Sequence, residues 1–120
     1  MSVQHKNLAS GNWGKMPLAA QLANVGSEVE RTISWSQKGN QDYSQKAFAR
    51  ALELLALTKT HCKKNSQLKE VGRIYELLVD YFAGKNDYGS TDQLWKRYFS
   101  CYTYLTANVR NTSLDTNLIS

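Results

Sequence analysis

Six charged side chains, Glu28, Arg31, Arg50, Glu53, Arg73 and Glu76, are the residues whose types best suit chemistry in this chain. Carboxylates and guanidinium groups gathered in one concave pocket can hold a phosphate and move a proton, which would make the chain an enzyme acting on RNA or nucleotides. Spacing argues against a shared-proton carboxylate pair. Glu28 and Glu30 point to different sides of a helix, and Glu76 and Asp80 stand one turn apart with Arg73 near enough to offset their field. Proton sharing needs enclosed carboxylates with displaced pKa values, and this pattern predicts exposure. Arg50 and Glu53 fall on the edge of an apolar face, so sequence alone lets them point inward or outward.

Other catalytic arrangements lack their residues. His61 and Cys62 are adjacent, and neighbours on a helix diverge by about 100°, so they cannot converge on one metal ion. His5 stands far from any second ligand in the sequence, and no Glu-x-x-His pair is present. Neither histidine has a nucleophile motif around it. The glycines at 11, 14, 26, 39, 72, 84 and 89 are isolated and form no phosphate loop. No catalytic residue, metal or cofactor is assigned.

Two surfaces suit binding. Asn24, Glu28, Arg31 and Trp35 recur at steps of four, three and four, a strip beside a helix core face that carries the interface-prone Trp and Arg types. The plainer reading puts Trp35 over the bundle end against Tyr43 or the fourth helix, with Glu28 and Arg31 as an ordinary intrahelical pair. The second surface is basic: Lys59, Lys63, Lys64 and Lys69 cluster with His61, and an up-down topology adds Lys15, Arg110 and Lys6 to the same pole. Such a pole attracts phosphates, with lysines favouring backbone contacts over base reading; it also serves solubility and the helix dipole.

These residues need helices to position them. Leu18, Leu22, Val25, Val29 and Ile33 mark a first helix over 17–38, begun at Pro17 and stopped at Gly39. Gly26, beside that stripe, lets a neighbouring helix approach closely. Asn40 and Asp42 offer caps to a second helix over 42–62, with Phe48, Ala51, Leu52, Leu55 and Cys62 inward. Ala47, Leu54 and Leu57 widen that face, enough for two neighbours or a second copy of the chain. Ser66 caps a third helix along Val71, Ile74, Tyr75, Leu78 and Phe82, ending at Gly84. A capping box from Ser90 to Gln93 starts a fourth, whose stripe is Leu94, Trp95, Tyr98, Cys101, Tyr102, Leu105 and Val109.

Short connections between such helices predict an all-α, antiparallel up-down-up-down four-helix bundle over 17–109, with loose tails at 1–16 and 110–120. The chain has 120 residues, a net charge of +5 and 42% hydrophobic residues. One domain is the expectation. No apolar run approaches the ~20 residues of a membrane span, and residues 1–15 lack the apolar centre of a secretory signal. Two cysteines at no metal spacing suit a reducing cytoplasm.

Asn24-Val25-Gly26-Ser27-Glu28-Val29-Glu30-Arg31, Trp35, Gly39-Asn40, Ala47-Phe48-Ala49-Arg50-Ala51-Leu52-Glu53-Leu54 and Tyr88-Gly89-Ser90-Thr91-Asp92 resemble a group of small, uncharacterised prokaryotic helical proteins over residues 17–105. That resemblance implies a helical fold and no particular activity. Size and topology also resemble the HEPN class of bundles, many of which cut RNA or accompany a nucleotidyltransferase. The HEPN motif sets His four to six residues after Arg, whereas ten residues separate Arg50 from His61. The expectation is therefore a non-enzymatic bundle that binds a protein or nucleic-acid partner, with a homo-oligomer through its extra apolar surface as a related hypothesis; a HEPN-like enzyme or nucleotidyltransferase-associated bundle acting on RNA or nucleotides is the alternative.

Overall fold

The computed structural model describes residues 13–119, with side chains described as far as Leu105. The expected loose segment at 1–12, and Lys6 and Arg110 as side chains of the basic pole, lie outside the described residues. Four helices carry the fold: α1 (Leu18–Gln37), α2 (Gln41–Thr60), α3 (Asn65–Phe82) and α4 (Asp92–Ile119). The all-α four-helix class is the one the stripes predict, and among the described residues there is no strand.

Neighbours pair rising with falling numbers. Thr32 meets Ser44 and Glu28 meets Arg50 between α1 and α2. Gln37 meets Asp92, and Gly26 meets Phe99, between α1 and α4. Tyr81 reaches Asp92, and Glu70 reaches Tyr98 and Tyr102, between α3 and α4. These contacts fit a bundle in which α1 packs broadly on both α2 and α4, while α3 is seated mainly on α2.

Burial follows the apolar period closely on α1: Leu22, Val25, Val29 and Ile33 are all but inaccessible. Gly39 takes φ 81° and ends the helix, with the Asn40 amide donating back to the Trp35 carbonyl at 2.9 Å. Asn40 then caps α2, its Oδ1 accepting from the Tyr43 amide at 3.1 Å.

Several expectations need correction. The bundle begins before residue 17: Trp13–Lys15 form a short 3-10 turn, and Trp13 is wholly buried. Its Nε1 donates to Thr58 Oγ1 at 3.0 Å, and Gln21 Nε2 donates to the Trp13 and Met16 carbonyls, tying the turn to both α2 and α1. A lone tryptophan ahead of a proline carries no period, so no stripe could reveal it. At the other end α4 continues to Ile119, past the expected stop at 109.

On α4 Trp95 is buried and Tyr98 and Tyr102 pack against the core as the stripe predicts, but the inward face is rotated to take in Phe99, which the stripe omits. Trp95 and Phe99 are the buried pair, whereas Leu94 and Leu105 are half exposed and Cys101 is exposed. A β-carbon added to Gly26 would lie 2.6 Å from Phe99 Cβ, so the close approach foreseen at Gly26 selects Phe99 for the interior. The caps shift too. Ser66 lies inside α3, whose N-cap is Lys64 with no side-chain cap bond. Thr91, not Ser90, caps α4 by accepting from the Leu94 amide at 3.1 Å, because Asn86 grips both the amide and the carbonyl of Ser90.

Of the face read as wide enough for two neighbours or a second copy, Ala47 and Leu54 are buried inside this chain and Leu57 packs against the core, as the two-neighbour reading requires. α2 uses that width on α1, α3 and the Trp13 turn.

Gly26→Ala gains about 1 kcal/mol of helix propensity but drives a methyl into Phe99, at a cost of about 1–3 kcal/mol for overpacking. Net destabilisation in urea unfolding is expected, and because the nearest atoms are Phe99 Cβ and Cγ, which leucine keeps, Phe99→Leu in the same chain should not recover it.

Candidate functional site

Glu28 is the hub of the polar set. It is 6% exposed, and each carboxylate oxygen is held: Oε1 by Arg31 Nη1 at 2.7 Å and Oε2 by Arg50 Nε at 3.0 Å. Beside it Thr32 Oγ1 donates to the Glu28 carbonyl, and Ser44 Oγ donates to the Thr32 carbonyl at 2.8 Å, which extends the polar seam between α1 and α2. Arg50, whose orientation sequence left open, thus turns toward α1. Glu53 is half-buried one turn further along α2. A carboxylate bound on both oxygens by guanidinium groups is an interhelical fastening.

Arg73 and Glu76 do not join it. They are exposed on α3 and line a shallow hollow of about 160 Å³ with Leu77 and Tyr88. Asp80, read as a solvated charge, accepts from the Asp87 and Tyr88 amides and fixes the turn after α3. The strip of Asn24, Glu28, Arg31 and Trp35 also divides. Asn24 bonds back to the Ala20 carbonyl and Glu28 faces inward. Trp35 packs on Tyr43 at 4.9 Å between centroids, with Lys38 Nζ 5.1 Å from its ring.

The lysines are placed differently. Lys59, Lys63, Lys64 and Lys69 are all exposed, and none has an ion pair among the described residues. They crowd the junction where α2 ends and α3 begins. Lys15, also exposed, follows Gly14, whose added β-carbon would lie 2.6 Å from His61 Nδ1, so the 3-10 turn comes to the same end. The missing side-chain cap on α3 leaves its first amide hydrogens without that partner at the centre of this positive surface.

A tyrosine seam between α3 and α4 went unread in the sequence. The hydroxyls of Tyr98 and Tyr102 both donate to Glu70 Oε1 at 3.0 Å, and at the far end Tyr81 Oη donates to Asp92 Oδ1 at 2.6 Å. The signal was there in Tyr98 and Tyr102, four apart on one face, but an apolar reading counts tyrosines as core. Burial, then the bond to Tyr102 and the nearby Glu70 charge, raises the Tyr98 phenol strongly. Burial, followed by the bond to Asp92 and its charge, pushes Tyr81 up to about 12. Next to this seam Trp95 Nε1 is buried without a hydrogen-bond partner among the described residues; such an orphaned donor costs about 1–3 kcal/mol.

Among the described residues no three His, Cys, Asp or Glu side chains gather as metal ligands, and no helix is long and apolar enough to cross a membrane. No protein-family model, curated protein or solved structure matches the chain.

If Glu28 is a fastening, Glu28→Gln should cost about 2 kcal/mol, the scale of a charged hydrogen bond lost in a part-buried setting. Arg31→Ala, at an exposed partner, should cost under about 1 kcal/mol. Equal costs in denaturant unfolding would contradict that hierarchy. The Tyr81 shift favours the neutral phenol in the folded chain, so its contribution is complete below pH 10 and is lost as pH rises toward about 12. Tyr81→Phe should flatten that alkaline loss in a comparison of unfolding midpoints against pH.

Proposed function

We propose that the chain is a non-enzymatic helical scaffold that binds the phosphate backbone of a nucleic acid through the basic end formed by Lys59, Lys63, Lys64 and Lys69. The observation that carries this reading is the contrast between the two charged groups. The acid–base set at Glu28 is internally neutralised by Arg31 and Arg50, whereas these four lysines are exposed and unpaired among the described residues. Lys15 adds to the same end.

The physics of phosphate binding fits that surface. Each lysine that neutralises a phosphate releases condensed counterions, so affinity builds from several weak contacts. Amide hydrogens at the uncapped start of α3 offer anion-directed donors among the lysines. Lysine is a mobile point charge, unlike the planar fork of arginine, and no Phe, Tyr or Trp is interleaved with Lys59, Lys63, Lys64 and Lys69 in the sequence to stack a base. Contacts of this kind position a chain on a backbone without reading sequence.

Fluorescence anisotropy with a labelled oligonucleotide across a salt series tests this. Affinity should fall steeply with salt, and Lys63→Glu with Lys64→Glu should weaken binding by at least about tenfold and lower the log–log salt slope by about 2. Binding that ignores salt, or that the double variant leaves intact, contradicts the proposal.

A further inference from the structure

A cleft of about 380 Å³ lies between α3 and α4. Its walls are Ile74 and Leu77 from α3 and Leu94 and Trp95 from α4, with Arg73 and Glu70 at the rim. The cleft exists because the two helices are joined by long side chains in place of close packing. Tyr81 spans to Asp92 at one end, and Tyr98 and Tyr102 span to Glu70 at the other. Between these ties the apolar side chains do not close on each other. Leu94 remains 53% exposed although it belongs to the cleft wall.

The size lies within the range of small-molecule sites, and the ties bound the cleft lengthwise, which disfavours a helix laid along it. Its polar groups are unequal. Glu70 already has one oxygen committed to two phenols, whereas Arg73 has no ion pair among the described residues. Trp95, a wall residue that is 6% exposed, has the indole donor that lacks an acceptor. Arg73 is thus the cation an anionic ligand can reach, on an apolar bed that includes Trp95, whose indole N–H is itself buried. Glu70 and Glu76 each stand one turn from Arg73, so a dianionic phosphate would meet two carboxylates there, and a group with a single negative charge is the anion least repelled.

We propose that this cleft binds a small organic monocarboxylate with an apolar body. The hydrocarbon or aromatic portion lies between Ile74, Leu77, Leu94 and Trp95, and the carboxylate pairs with Arg73. Arg73 is suited to this because its guanidinium can hold both oxygens of a carboxylate. This site is independent of the lysine end, and either assignment can fail without the other.

The test uses the full chain, ¹⁵N-labelled and titrated with 3-phenylpropionate, with 3-phenylpropionamide as the uncharged control. Saturable shifts are expected at the Trp95 indole N–H and at the amides of Ile74, Leu77 and Leu94. The amide control and the exposed-site variant Arg73→Gln should each bind about tenfold more weakly. Leu94→Asp, at a half-exposed position, should abolish the shifts while the rest of the spectrum stays folded. No saturable shift at millimolar ligand, or equal binding of acid and amide, overturns the proposal. So do shifts at the cleft that follow protein concentration in the absence of ligand, since they would assign it to a second copy of the chain.

Discussion

At Gly26 the backbone of α1 and the side chain of Phe99 on α4 stand so close that a single methyl group would have to displace one of them. The rest of the bundle is arranged around that approach. It draws α4 onto one side of α1 while α2 occupies another, so that Leu22, Val25, Val29 and Ile33 lose nearly all their exposure. An interior packed this closely resists both added and removed volume. The 3-10 turn at Trp13 closes one end of this core by bonding to Thr58.

With α1 enclosed, the polar residues it carries have to be satisfied inside the structure. Glu28 receives Arg31 and Arg50, and Thr32 is bonded through Ser44 and its own turn. That explains why Glu28, Arg31 and Arg50, half of the charged set most suggestive of catalysis, become fastenings, since a buried carboxylate needs paired donors. The groups without partners lie where packing is thinnest. The lysines crowd the α2–α3 junction, and the α3–α4 cleft keeps Arg73 and Leu94 accessible. α3 is seated on α2 and tied to α4 by tyrosines, so both surfaces proposed for binding lie around the most lightly attached helix.

Much of the helical layout was legible because one periodic signal was strong. The α1 stripe and the Gly39–Asn40 stop and cap fall where spacing and capping chemistry place them. Legibility failed where two faces competed. On α4, Leu94, Cys101 and Leu105 extend the stripe of Trp95, Tyr98 and Tyr102 as well as Phe99 does, and the approach at Gly26 decides for Phe99. Trp13 was missed because a residue outside any helix has no period to follow. The site was less readable still. Arg50 lies on a face edge, where one side-chain rotamer separates a solvent charge from a partner for Glu28, and the tyrosine ties depend on distances across helices far apart in sequence.

Native-state hydrogen exchange in mild denaturant tests the central place of α1 most directly, because it measures the free energy of opening helix by helix. The amides of Val25, Val29 and Ile33 should exchange only through global unfolding, while those of Val71, Ile74 and Leu78 in α3 open at a lower free energy. Amides in α3 as strongly protected as those in α1, or α1 opening first, would contradict a bundle organised around the Gly26–Phe99 contact.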